Sequence, residues 1–325
     1  MGLNISQAIE LVSAHQDTNL KEKEPKDLYA PRNYIMSIGG KRMRSVFCLL
    51  GCTCCGGEAK DALDVAYAIE LFHNFTLVHD DIMDEAELRR GKLAVHQAFS
   101  VNQAILTGDV MLIEVYDRLA KLSGVDIASV IARFSQIARE VCEGQSMDMS
   151  FETRDDVALS DYLRMIELKT AVLLGLALQL GANQAGATDS DQTHLYSFGV
   201  NAGIAFQLQD DYLDVYGDPS KFGKKVGGDI IQGKKTYLYL RALDLLHEQD
   251  RDDFKELYNS SDIAPQDKVL RVRNVFDELF LPTYCQEAKE SFFGLAKSHL
   301  DVVQMSEQNK GDLLSFAETL MNREK

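Results

Sequence analysis

The chain has 325 residues, 46% hydrophobic and 26% charged, with 22 Gly and only 5 Pro, which excludes collagen-like, low-complexity and disordered chains and leaves ample apolar surface for a core. Its 34 Lys and Arg against 50 Asp and Glu give a formal charge of -16, which repels nucleic acid and anionic membrane surfaces at long range. With no run of 18 apolar residues and no charged-then-apolar leader, the expectation is a cytoplasmic chain without nucleic-acid partners or stable membrane insertion.

The opening Met-Gly-Leu-Asn-Ile-Ser fits the loose acylation pattern at Gly2 and Ser6, but too few positions are specified for it to carry weight. Ile5, Ile9 and Val12 have the spacing of an amphipathic helix. No proline occurs between Pro31 and Pro219, and apolar residues recur there at three- and four-residue intervals. This predicts long helices over 61–84, 95–122, 127–149, 161–180 and 193–215, with no alternating strand pattern. Gly39-Gly40, Gly56-Gly57, Gly91, Gly124 and Gly181 are read as helix stops or turns. Residues 1–325 are therefore expected to form a single all-α domain. Cys48, Cys52, Cys54, Cys55, Cys142 and Cys285 lack a second Cys/His cluster at zinc spacing, so the thiols are expected to pack as small hydrophobes. The glycine- and lysine-rich stretch 217–235 has the composition of a phosphate lid.

Two segments read Asp-Asp-x-x-Asp: Asp80, Asp81 and Asp84, then Asp210, Asp211 and Asp214. Most acidic runs are solvated helix faces, and Asp155-Asp156 and Asp252-Asp253 fit that description. The pentads differ because their first and last carboxylates share one helical face among apolar neighbours, a placement that needs a cation. Carboxylates without accompanying His or Cys suit Mg²⁺, which keeps waters and takes substrate phosphates as further ligands. The complementary cations are Lys41, Arg42 and Arg44 after Gly39-Gly40, Arg89-Arg90 after the first pentad, Lys169-Thr170 in mid-helix, and Lys224-Lys225 and Lys234-Lys235 after the second. Together they suggest binding of more than one diphosphate.

In that order, these motifs, with His73, Gly108-Asp109, Gly144-Gln145, Phe206-Gln207 and Gly228-Asp229, resemble the trans-isoprenyl diphosphate synthases of the polyprenyl synthetase family over nearly the whole chain. The resemblance implies a bundle of long helices around a central cavity. It also implies a prenyltransferase in which an allylic diphosphate ionises and alkylates isopentenyl diphosphate, lengthening the chain by one isoprene unit. Asp80, Asp84 and Asp210 would hold about three Mg²⁺ together with substrate phosphates, with Asp81, Asp211 and Asp214 behind them. Arg89, Lys169 and Lys224 would add positive charge at the leaving diphosphate. Lys41, Arg44, His73, Arg90 and Lys234 would bind substrate, chiefly the isopentenyl diphosphate, while Thr170, Phe206 and Gln207 line the reacting centre. A homodimer is implied as well.

Product length is read along the helix of the first pentad. Phe75 and Phe72 stand roughly 7.5 and 12 Å up the axis from Asp80, and Thr76, on the same face, is small. They are candidates for a pocket floor that stops the product at C20, as in the geranylgeranyl type. Core packing is the alternative for both rings. Other enzyme readings are a farnesyl or longer polyprenyl diphosphate synthase, or a class I terpene cyclase. A regulatory prenyltransferase subunit, or a helical scaffold, is the non-catalytic alternative.

Overall fold

The computed structural model describes residues 3–218 and 226–321. It is all-α apart from one two-residue strand pair, Leu88–Arg89 with Lys92–Leu93, a hairpin that the helical periodicity gave no hint of. Contacts gather the chain into two compact units, each assembled from separate stretches.

The first unit comprises Met1–Gln136, Leu176–Tyr196 and Val302–Leu313. Helix α1 (Ile5–Asn19) opens on a capping box, in which the Asn4 side chain accepts from Gln7 N–H at 2.9 Å and Gln7 returns the bond to Asn4 N–H at 3.2 Å. After α2 (Lys26–Ser37), α3 (Met43–Cys54) starts at Arg42, which is left-handed with φ 50°. Helix α4 (Leu63–Met83) forms the spine of this unit, burying Val65, Ile69, Leu71, Phe72 and Val78, and packs most extensively on α6. The predicted helix 95–122 is broken into α5 (Val95–Ala98) and α6 (Val101–Leu119), because Phe99 leaves helical geometry and extended Ser100 caps the new helix through Gln103 N–H at 3.2 Å.

Gly181 is not a stop. It lies inside α9 (Val172–Gln184), where a Cβ would stand 2.0 Å from the Cys48 carbonyl oxygen; glycine here permits two helix backbones to touch. Cys48 and Cys52 are fully buried, and burial pushes the Cys52 thiol up to about 11, so these side chains pack as apolar groups.

The second unit comprises Ile137–Gly175, Ser197–Asp301 and Leu314–Lys325. It takes most of α7 (Ile127–Thr153), all of α8 (Leu159–Ile166) and most of α10 (Asp189–Tyr216). A π-turn, Glu167–Ala171, joins α8 to α9. The short α11 (Gly228–Gln232) and α14 (Pro265–Glu278) pack together, with α12 (Tyr237–Leu245) against α8 and α13 (Glu248–Asn259) against α14. Helices α15 (Leu281–Val302) and α16 (Glu307–Met321) follow. Leu159–Gln184, although it holds no unbroken run of 18 apolar residues, is long and apolar enough to cross a membrane, but 78% of its most apolar window is buried inside the protein.

Candidate active site

The first pentad closes α4. Asp81 is fully buried and forms a two-pronged ion pair with Arg89 of the hairpin, whose Nε donates to Oδ1 at 2.9 Å and whose Nη2 donates to the same oxygen. The pentad therefore splits by environment, with Asp81 inside and neutralised, Asp80 half-buried and Asp84 exposed at the helix end.

Four guanidiniums, those of Arg42, Arg44, Arg89 and Arg90, gather near the His73 ring. Two have carboxylate partners, Arg89 with Asp81 and Arg42 with Glu70 at 2.9 Å. Arg44 and Arg90 have no carboxylate partner among the described residues, and the buried Arg44 Nε–H has no hydrogen-bond acceptor. Burial pulls Arg44 down to about 10, which leaves it charged at neutral pH. Its Nη1 donates to His73 Nε2 at 3.1 Å; because a guanidinium cannot accept, that ring nitrogen carries no proton. Burial, with the surrounding Arg charges, holds His73 well below its usual range, so the ring is neutral. Arg90 donates to the Gly39 carbonyl, and its guanidinium occupies the space that a Cβ on Gly40 would need, 2.7 Å away. Lys41 is exposed beside them.

On the other side of α4, Phe72 is 1% exposed and meets Phe134 edge-on at 5.1 Å, while Phe75 packs on Phe72 at 5.6 Å and on His79 at 4.9 Å. Thr76 turns its hydroxyl back to the His73 carbonyl at 2.8 Å. The Phe134 ring was missed in the sequence, since nothing local ties it to the pentad.

In the second unit, the pentad on α10 splits the same way. Asp211 is 4% exposed and accepts from the Tyr162 hydroxyl, from Tyr237 N–H at 3.2 Å and from Gln207 Nε2 at 3.3 Å. Burial, with Asp229's charge added, pushes its carboxyl up to about 7. Asp210 and Asp214 are half-buried, and Asp214 accepts from Asp229 N–H at 3.0 Å. Lys169, in the π-turn, pairs with Asp148 of α7 at 2.6 Å. Asp148 could have been suspected from its place one turn after Gly144-Gln145. Thr170 is half-buried beside Lys169, and Phe206 is 9% exposed. Lys234 is exposed, whereas Lys235 donates to the Phe151 carbonyl at 2.7 Å and so caps the end of α7. Lys224 lies outside the described residues.

Among the described residues no three His, Cys, Asp or Glu side chains stand ready to hold a metal by themselves. The pentads' outer aspartates nevertheless fit Mg²⁺, being oxygen donors kept at least partly accessible while their buried neighbours are hydrogen-bonded elsewhere.

The polyprenyl synthetase family model matches residues 25–276. The chain is 36% identical to the geranylgeranyl pyrophosphate synthase of Geoglobus acetivorans, over 98% of both chains. It is 34% identical to the geranylgeranyl diphosphate synthase of Methanosarcina mazei, over 96% of both. A solved geranylgeranyl pyrophosphate synthase superposes with a TM-score of 0.94 at 41% identity, covering 99% of each chain.

Proposed function

This chain belongs to the polyprenyl synthetase family and is a prenyltransferase, and from that premise we propose that residues 1–325 act as one domain making C20 geranylgeranyl diphosphate. The reaction is the 1'-4 condensation of isopentenyl diphosphate with an allylic diphosphate. The observation that carries the reading is the division of charge on and around α4. Arg42 and Arg89 are spent on buried carboxylates, whereas Arg44 and Arg90 remain available to an anion beside the outer aspartates.

Arg44 and Arg90, with Lys41, hold the isopentenyl diphosphate through charge-assisted hydrogen bonds. Neutral His73 fixes Arg44 by accepting from it. Asp80, Asp84 and Asp210 would hold Mg²⁺, which would supply positive charge against the leaving diphosphate. Asp81, Asp211 and Asp214 brace them. Arg89, Lys169 and Lys224 add charge to the same oxygens, with Lys169 moving there from Asp148. Thr170, Gln207 and the Phe206 ring line the space where the allylic C–O bond breaks and the new C–C bond forms. The proton lost from the isopentenyl unit goes to the released diphosphate. Lys234 reaches a substrate phosphate as the site closes, and Phe72, Phe75 and Thr76 end the product tunnel.

A cytosolic homodimer completes the proposal. Val101, Ile105, Leu106 and Ile113 of α6 are 41–61% exposed on one side of the helix, an apolar surface that a second copy would cover. Light scattering showing a monomer at micromolar concentration would reject it.

The test of function is mass spectrometry of products from isopentenyl diphosphate with dimethylallyl, geranyl or farnesyl diphosphate, with Mg²⁺ or with EDTA. Mg²⁺-dependent elongation ending at C20 supports the reading. A C15 or longer stop keeps the reaction and removes the floor, and hydrocarbons in place of diphosphates indicate a cyclase.

A further inference from the structure

Glu70 lies in the middle of α4, 2% exposed, with no direct role in the chemistry described above. A carboxylate so placed is costly unless it is both paired and hydrogen-bonded, and Glu70 is both. Its Oε1 accepts from Arg42 Nη1 at 2.9 Å and from Asn74 Nδ2 at 3.3 Å, and its Oε2 accepts from Ser45 Oγ at 3.0 Å. Arg42 in turn donates to the Met36 carbonyl at 3.0 Å. The Arg42 side chain is thus drawn inward at both ends of its fork, at the one residue between Gly40 and Met43 whose backbone is left-handed.

A left-handed non-glycine residue is disfavoured and persists where its surroundings over-determine it. Here the tether is the Arg42–Glu70 pair, and the two residues flanking the turn are Lys41 and, two positions on, Arg44. Buried ion pairs are poor stabilising devices, since apolar replacements of similar volume are often neutral, but they specify geometry well where one arrangement must be chosen.

We propose that Glu70 is a positioning residue for the isopentenyl diphosphate subsite. Its buried carboxylate holds Arg42 and, through it, the left-handed turn that aims Lys41 and Arg44 at the diphosphate. The same carboxylate keeps Arg42 from competing for that anion. The inference rests on the assignment of Arg44 and Arg90 to this diphosphate.

The experiment measures KM for isopentenyl and for allylic diphosphate in Glu70→Gln, Glu70→Asp and Arg44→Gln, with calorimetric binding of isopentenyl diphosphate to each. Glu70→Gln is expected to raise the isopentenyl KM and Kd about ten-fold or more while the allylic KM stays within about two-fold, and Glu70→Asp to recover part of the loss. An isopentenyl KM within about two-fold of wild type, or an equal rise in both KM values, overturns the proposal. Arg44→Gln separates the two readings: if it leaves isopentenyl affinity unchanged, the subsite assignment itself fails. If it weakens affinity while Glu70→Gln does not, only the tether fails. Should Glu70→Gln not fold, the paired variant Arg42→Met/Glu70→Gln, which buries no lone charge, is measured the same way. Unchanged isopentenyl affinity in it also overturns the proposal.

Discussion

Arg44 Nη1 donates to His73 Nε2 at 3.1 Å, so the histidine in this basic cluster works as an acceptor and not as a fifth cation. A base whose folded value is depressed contributes stability that is intact above its unfolded value, near 6.5, and lost as pH falls toward the folded one, because only the unfolded chain then takes up the proton. Asp211, raised to about 7, titrates in the same range with the opposite sign, so the His73 contribution is read by difference. Between pH 7 and pH 5 the wild-type Tm should fall by a few degrees relative to that of His73→Gln, which keeps an acceptor but cannot titrate. A parallel slope in the variant would mean that another group titrates.

The aromatic pair on α4 should separate under mutation. Phe72 is wedged between Phe134 and Phe75, so Phe72→Ala is expected to cost about 3–5 kcal/mol of stability, read by denaturant unfolding. Phe75, 8% exposed, is the better candidate for the floor. Phe75→Ala should extend the product by one or more isoprene units, visible by mass spectrometry, and an unchanged product would return that ring to the core.

Adjacent lysines should give opposite phenotypes. Lys235→Met removes the cap on the end of α7 and should lower stability by about 1 kcal/mol with turnover largely kept. Lys234→Met should leave Tm alone and raise a substrate KM. Kinetics and melts on the two variants check this directly.

Removing the Tyr162 hydroxyl leaves the buried Asp211 one donor short. Tyr162→Phe should cost about 1–3 kcal/mol and reduce turnover through misplacement of the second pentad, whereas Asp80→Ala should abolish turnover with Tm almost unchanged. Equal loss of Tm in both would remove the distinction between brace and ligand.

What could be read in the sequence was what is local. The two pentads, the Gly39-Gly40 turn and the helical periodicity each declare themselves within a few residues. Gly181 was misread because its reason for being glycine, the Cys48 carbonyl, sits on another helix. Glu70 was invisible for a related cause: one acidic residue in an apolar helix has no meaning until Arg42 and Ser45 are folded against it. Within each pentad the family resemblance already set Asp81 and Asp211 behind the others, and their burial agrees; Asp214, set behind them too, is half-buried like Asp210.

The π-turn at Glu167–Ala171 carries a consequence for comparing relatives. An α-helix turns about 100° per residue, so a turn holding one extra residue sets everything after it one position out of phase with everything before. Deleting a single residue there would let the segment run straight, swing Lys169 off the face where it meets Asp148, and spare the rest of α9 any change of composition. A one-residue gap in an alignment at this point therefore marks an altered register between Lys169 and Asp148, however well the flanking sequence agrees.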